Sequence, residues 1–203
     1  VLLVDFGTFN LKLATAIRKA KLKQPILYFT SPQVWGSRPW RIKTIAQTVT
    51  KMLVIFPFEV AIYRKNSVPV RFMGHPLLTN MPAPAEMPPK EEFCSRYKID
   101  PNKPIIGVFA GSRRREVGLF APIALKAMKT LLLKKNNLQF VFSTVSDALR
   151  EKTKEEIHDA GMDESLDKNL FLVSHDDNFN LISASDLIWA KSGTTTLEVT
   201  LFG

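Results

Sequence analysis

Cysteine is almost missing from this sequence: Cys94 stands alone among 203 residues, so no intrachain disulfide can form. A chain without disulfides suits a reducing compartment, and a lone thiol of this kind is expected to be a small buried residue. Histidine is scarce too. His75, His158 and His175 are the three present, and no close His or Cys pair offers a metal site. Long apolar runs are lacking: none approaches the ~18 residues that cross a bilayer. There is no internal repeat and no low-complexity tract. No Gly-Lys-Ser or Gly-Lys-Thr follows a spaced glycine, which excludes a Walker phosphate loop. Acid is in deficit, with 19 Asp and Glu against 28 Lys and Arg, for a net charge of +9. The excess of base favours anionic partners without choosing among nucleic acid, an acidic lipid surface and phosphorylated substrates.

What is present alternates between short apolar runs and helical periodicity. The pattern predicts strands over 1–6, 26–29, 52–56 and 68–72, with helices over 10–23, 38–48 and 57–65. Five prolines then crowd 76–89 (Pro76, Pro82, Pro84, Pro88 and Pro89). That is linker composition, and it marks the expected domain boundary. A second series follows. Strands are expected over 105–110, 138–143, 170–173 and 186–190, and helices over 121–135 (Pro122 in its first turn) and 147–160. A short helix precedes the last strand, and another opens near Thr194. Val1-Leu2-Leu3-Val4 reads as the inside of a strand and 198–203 as a helix cut short, so both ends are expected to be cuts through longer elements. Alternating strand and helix implies parallel sheets covered on both faces. The fold class expected is therefore α/β, with two Rossmann-like domains and a cleft between them. Ligands of such sheets bind at the carboxyl ends of strands, which directs attention to the turns after Asp5, Ala110 and Ala190.

The last of these reads Ser192-Gly193-Thr194-Thr195-Thr196-Leu197-Glu198. Free N–H groups at a helix start, with a glycine beside them, suit a phosphate. Thr194 and Glu198 share a helix face, and a carboxylate there can accept bonds from two sugar hydroxyls. An ordinary N-cap with a first-turn acid accounts for the same residues. The second turn reads Gly111-Ser112-Arg113-Arg114-Arg115-Glu116. A guanidinium there can grip phosphate through two N–H groups, or the arginines simply form a solvated loop paired with Glu116. In the first turn, Asp5 follows an apolar run, where a carboxylate is costly unless paired or functional. It can act as general base for a hydroxyl or cap the helix that follows. Glu59, at a helix start, is a weaker candidate base because the dipole already explains it. His75 either contacts a ligand or packs; His158 and His175 receive no role. The basic 10–23 helix, with Trp35 and Trp40 beside Arg38 and Arg41, suits an anionic lipid interface.

Six pieces occur in one order: Asp5-x-x-x-Phe9-Asn10, Ser31-Pro32-Gln33-Val34-Trp35, Phe56-Pro57-Phe58-Glu59, Gly74-His75-Pro76-Leu77, Gly111-Ser112-Arg113-x-x-Glu116 and Ser192-Gly193-Thr194-x-x-Leu197-Glu198. Together they resemble the lipid-A-disaccharide synthases, over essentially the whole chain. The resemblance implies a GT-B glycosyltransferase with an acceptor-side domain over 1–80 and a nucleotide-sugar domain over 90–203. The reaction it implies joins UDP-2,3-diacylglucosamine to 2,3-diacylglucosamine 1-phosphate, with inversion, in lipid A biosynthesis. Asp5 and Arg113 would be catalytic. Gly111, Ser112, Ser192, Gly193, Thr194, Thr195 and Glu198 would hold the nucleotide sugar, and Trp35, Arg38 and His75 would lie on the acceptor or membrane side. No cofactor and no metal is implied, since the UDP-sugar is a substrate. The implied setting is cytoplasmic and peripheral on the inner membrane, with a homodimer in the full-length protein. Departures from the family pattern are Gly7-Thr8 where a second acid is usual, Ala110 where proline is usual, and Gly36-Ser37 near a usual tryptophan. With the absent end regions, they lead to the expectation that this stretch alone is inactive. Alternatives are another UDP-sugar transferase or an epimerase of the same fold, or a non-catalytic relative. A nucleic-acid module is disfavoured, because no sheet interleaves aromatics with Lys and Arg.

Overall fold

Each of the two strand–helix series builds its own sheet in the computed structural model, which describes residues 1–202. The first unit, Val1–Asn80, holds β1 (Leu2–Val4), β2 (Leu27–Phe29), β3 (Lys51–Val54) and β4 (Val70–Phe72), all parallel and in chain order across the sheet. The connecting helices are α1 (Gly7–Lys19), α2 (Arg41–Thr48) and α3 (Pro57–Lys65), with a short α4 (Leu77–Asn80) after β4. One core unites them. Ala14 of α1, Ile45 of α2 and Tyr63 of α3 are fully buried in the same cluster as Tyr28, Met52 and Val54 of the strands.

The first strand stops earlier than the apolar pattern suggests, at Val4, and α1 starts at Gly7 rather than at residue 10. Asp5 and Phe6 both adopt left-handed backbone, with φ of 46° and 42°. Non-glycine residues held there cost on the order of 1–3 kcal/mol each and persist only where the surroundings fix them. Here Asn10 Nδ2 donates to the carbonyls of Val4 (2.9 Å) and Asp5 (2.7 Å), and the Tyr28 hydroxyl also donates to Asp5 O at 2.7 Å. Burial pushes the Tyr28 phenol up to about 12, so it stays a donor. Likewise α2 opens at Arg41, not at residue 38: Pro39 steers the residue before it away from right-handed helix, and Arg38 sits at φ 54°.

The second unit opens at Met81. Its sheet contains β5 (Ile105–Phe109), β6 (Gln139–Thr144), β7 (Leu170–Ser174) and β8 (Leu187–Ala190), parallel, in the order β7-β6-β5-β8. Every residue of β5 and β6 is buried, as expected of strands covered on both faces. The helices are α5 (Lys90–Tyr97), α6 (Arg114–Lys134), α7 (Asp147–Asp159), α8 (Asn178–Ala184) and α9 (Thr194–Phe202). Of the helix expected through 198–203, Gly203 lies outside the described residues.

Two local expectations are corrected here. Helix α6 begins at Arg114 instead of residue 121, so Pro122 lies inside it. Proline favours a first turn; inside a helix it forgoes its bond to the carbonyl four residues back, and its ring crowds that carbonyl. Arg114 and Arg115 are consequently helical, and only Arg113 belongs to the turn. The proline-rich stretch is not bare linker either. It contains α4 and a 3-10 turn over Pro84–Glu86, and Met81 and Met87 pack on the core of the second unit. Helix α5 went unread in the sequence, although Glu91 and Glu92 start it and Arg96 ends it as the dipole prefers. It buries Phe93 and Cys94, and burial pushes the Cys94 thiol up.

Candidate active site

In the second sheet the chain runs outward from β5 through β6 to β7, then returns to place β8 on the other side of β5. Such a reversal is a topological switch point, and the crevice at the strands' carboxyl ends is where open α/β sheets bind ligands. The register puts Phe109 beside Ala190, and Lys191 N–H donates to Phe109 O at 3.0 Å. The turns after β5 and β8 therefore form the two lips of one cavity of about 320 Å³, within the size range of small-molecule sites.

One lip carries Gly111, Ser112 and Arg113. Gly111 has φ 116°, and a Cβ there would sit 2.7 Å from both Cβ and Oε2 of Glu116. Glycine is thus required twice over, by backbone and by space. The other lip carries Lys191, Gly193, Thr194, Thr195 and Glu198. Gly193 differs from Gly111: its φ is ordinary, and a Cβ would meet nothing closer than 3.9 Å. The fold does not demand glycine at 193, while an anion approaching the backbone would. The first-turn N–H groups of α9 have no intrahelical acceptor, apart from Thr196 N, which donates to Gly193 O at 3.2 Å. Glu198 lines the cavity beyond the first turn, while Ser192 lies outside the lining.

Several lining residues were not singled out from sequence. Ser143, whose hydroxyl bonds Asn178 Oδ1, comes with Asn178 and His175 from the ends of β6, α8 and the turn after β7. Lys191 donates to Glu116 Oε1 at 3.0 Å and Arg113 donates to the same oxygen at 2.9 Å. Lys191 first, then Arg113, hold the Glu116 carboxyl at about 2. The Glu116 partner was visible as a sequence neighbour of Arg113. Lys191 gave no signal, because the contact spans 75 residues.

In the first unit, Asp5 lines a separate cavity of about 260 Å³ with Gly7, Ser31, Arg41 and Glu59. Its side chain neither caps α1 nor pairs with a base among the described residues. Thr8, which occupies the place of the missing second acid, accepts from Arg41 Nη2 at 2.6 Å and from Arg38 Nη1 at 3.5 Å. Glu59 is 1% exposed. It accepts from Ser31 Oγ (2.6 Å), Trp35 Nε1 (3.3 Å) and Phe56 N (3.2 Å), which welds two of the sequence motifs together. Trp35 also packs edge-on to Phe58. His75 packs on Phe56, and its Nδ1 accepts from Leu77 N at 3.1 Å, a local role. Among the described residues no group of His, Cys, Asp and Glu could hold a metal ion, and no helix is long and apolar enough to cross a membrane.

Parallel α/β units in series, the second with a cavity at its switch point, define the GT-B class of fold. Solved structures with this fold include UDP-GlcNAc 2-epimerase from Methanocaldococcus jannaschii (12% identity, TM-score 0.59, covering 100% of this chain and 58% of that one). Sucrose-phosphate synthase from Thermosynechococcus elongatus is also similar (13%, TM-score 0.57, 100% and 54%), as is Anabaena HepE in complex with UDP and glucose (12%, TM-score 0.54, 99% and 56%). The family model described as lipid-A-disaccharide synthetase matches residues 1–203, and the chain belongs to that family. It is 34% identical over 203 residues to the lipid-A-disaccharide synthase of Geobacter metallireducens, and 34% identical over 201 residues to that of Coxiella burnetii. The chain spans about half the length of the curated relatives it matches.

Proposed function

We propose that this chain is the part of a lipid-A-disaccharide synthase that binds the UDP-sugar and presents an acceptor-side carboxylate. The whole protein joins UDP-2,3-diacylglucosamine to 2,3-diacylglucosamine 1-phosphate with inversion and needs no cofactor. The observation that carries the reading is the meeting of the Gly111–Arg113 turn and the Lys191–Glu198 turn around one cavity. Diphosphate charge grows as the glycosidic bond to the leaving group breaks. Arg113, Lys191 and the N–H groups opening α9 stabilise it more in the transition state than in the ground state, and Glu198 accepts from the ribose hydroxyls. On the acceptor side, Asp5 takes the proton of the attacking hydroxyl.

Titration of this chain with UDP and with uridine tests the nucleotide site. UDP is expected to bind more tightly than uridine. Arg113→Lys keeps the charge but loses the planar fork, and should weaken UDP by about 10-fold or more, the scale of one charge-assisted bond. UDP binding no better than uridine would overturn the reading.

The protein's place on the cytoplasmic face of the inner membrane follows the same proposal, as does a homodimer of the full-length protein. Trp40 is 66% and Trp35 47% exposed, and Lys12, Lys19 and Arg41 line a groove with Trp40. Each basic group near an anionic surface contributes about 1 kcal/mol. At low salt the chain should sediment with anionic vesicles and not with neutral ones. Equal binding to both would remove the lipid part of the proposal.

A further inference from the structure

The donors best suited to a diphosphate in the second-unit cavity converge on a carboxylate that belongs to the protein. Glu116 Oε2 accepts the Ser112 N–H at 3.0 Å, and Oε1 accepts from Arg113 Nη1 at 2.9 Å and from Lys191 Nζ at 3.0 Å. These donors come from both lips of the cavity, and Glu116 is their common acceptor. Neither Arg113 nor Lys191 has another acidic partner among the described residues. Glycine at 111 makes the arrangement possible, since a Cβ there would strike Glu116. A carboxylate presents two oxygens of the same sign and spacing class as the edge of a phosphate. A diphosphate entering this cavity therefore meets donors already engaged by an anion.

Resting on the reading that the cavity takes a nucleoside diphosphate, we infer that Glu116 is a positioning residue that competes with the phosphates. It holds Lys191, Arg113 and the Ser112 N–H in the cavity and yields them as the diphosphate arrives. A ligand that lacks phosphate has nothing to displace. The competition lowers affinity for the diphosphate and leaves affinity for the nucleoside unchanged. A mere splint for the loop would act in the opposite sense, because removing a splint weakens the phosphate grip.

The test is calorimetric titration of this chain with UDP-N-acetylglucosamine, whose diphosphodiester does not titrate between pH 4 and 8, and with uridine. Glu116→Gln keeps the shape and removes the charge. It should tighten the nucleotide sugar by roughly 3-fold or more, the scale of releasing partly exposed ion pairs, and leave uridine unchanged. Lys191→Met should weaken the nucleotide sugar. A second readout follows protons instead of affinity. At pH 4.5 the free protein's Glu116 is ionised, because Lys191 and Arg113 hold it at about 2. Once displaced, it returns toward an ordinary glutamate near 4.3 and takes up about 0.4 of a proton. Glu198 and His175 line the same cavity, so titrations in two buffers of different ionisation enthalpy measure the uptake with uridine as the blank, and the share of Glu116 is the part lost in Glu116→Gln. Weaker or unchanged binding in Glu116→Gln, or no proton uptake beyond the uridine blank, would overturn the inference while leaving the nucleotide site in place. Failure of the unmodified chain to bind UDP-N-acetylglucosamine at all would remove the nucleotide site itself and the competition with it.

Discussion

Asp5→Asn, made in the full-length protein, is expected to slow disaccharide formation by about 10²–10⁴-fold, the usual contribution of a general base. Binding of the UDP-sugar should barely change, because Asp5 is not among the residues lining the cavity proposed to hold the nucleotide. The substitution is unusually clean. Asp5 is left-handed at φ 46°, a region that asparagine tolerates about as well as aspartate. The bonds that hold the turn use the Asp5 carbonyl and not its side chain. Asparagine therefore removes the proton acceptor without disturbing the turn, and the melting curve should be unchanged. The assay is product formation from UDP-2,3-diacylglucosamine and the 1-phosphate acceptor with EDTA present. Near-normal turnover in a normally folded variant would strip Asp5 of its proposed role.

Glu59→Ala should produce the largest loss of stability among the residues discussed. The side chain is buried and accepts three bonds, two from side chains of the Ser31–Trp35 motif and one from the N-terminus of its own helix. Alanine removes the shared acceptor and leaves only Ser31 Oγ with another within reach, Pro32 O at 3.3 Å, and each buried unsatisfied group costs about 1–3 kcal/mol. Trp35 is half-exposed and can turn to water, so the sum should be roughly 2–4 kcal/mol. Gln at 59 retains one acceptor oxygen and should lose less. Trp35 and Trp40 lie in the first unit and Trp189 in the second, so urea unfolding followed by fluorescence alongside circular dichroism can assign the shift. An unchanged midpoint for Glu59→Ala would show that the motif junction carries no stability.

The strand–helix alternation was legible because its signals are local. Apolar runs such as Phe140-Val141-Phe142 and the Ser-Gly-Thr turn announce themselves within a few residues. The Gly-Ser-Arg turn was legible as a turn at the end of a strand, but its neighbours 114 and 115 were misassigned because Pro122 looked like a helix start. The left-handed pair at Asp5-Phe6 left no such mark. It depends on Tyr28, 23 residues away, and tertiary bonds override what the apolar pattern suggests. The partnership of Glu116 with Lys191 was hidden for the same reason. Sequence displayed each residue, and only the pairing of β8 with β5 brings them together.

That pairing has a wider consequence. The two lips of the second unit's cavity hang from adjacent strands, so the spacing between Arg113 and Lys191 is set by which residue of β8 faces which residue of β5. A slip of one position would shift one lip by about 3.3 Å and turn every side chain of β8 to the opposite face. Strand register is thus the ruler for the cavity's charges. Substitutions at Ile188 or Trp189 that loosen β8 can therefore change ligand affinity without touching a ligand. In this unit, holding the sheet together and bringing Lys191 and Arg113 onto one carboxylate are one physical task, and selection on either acts on both.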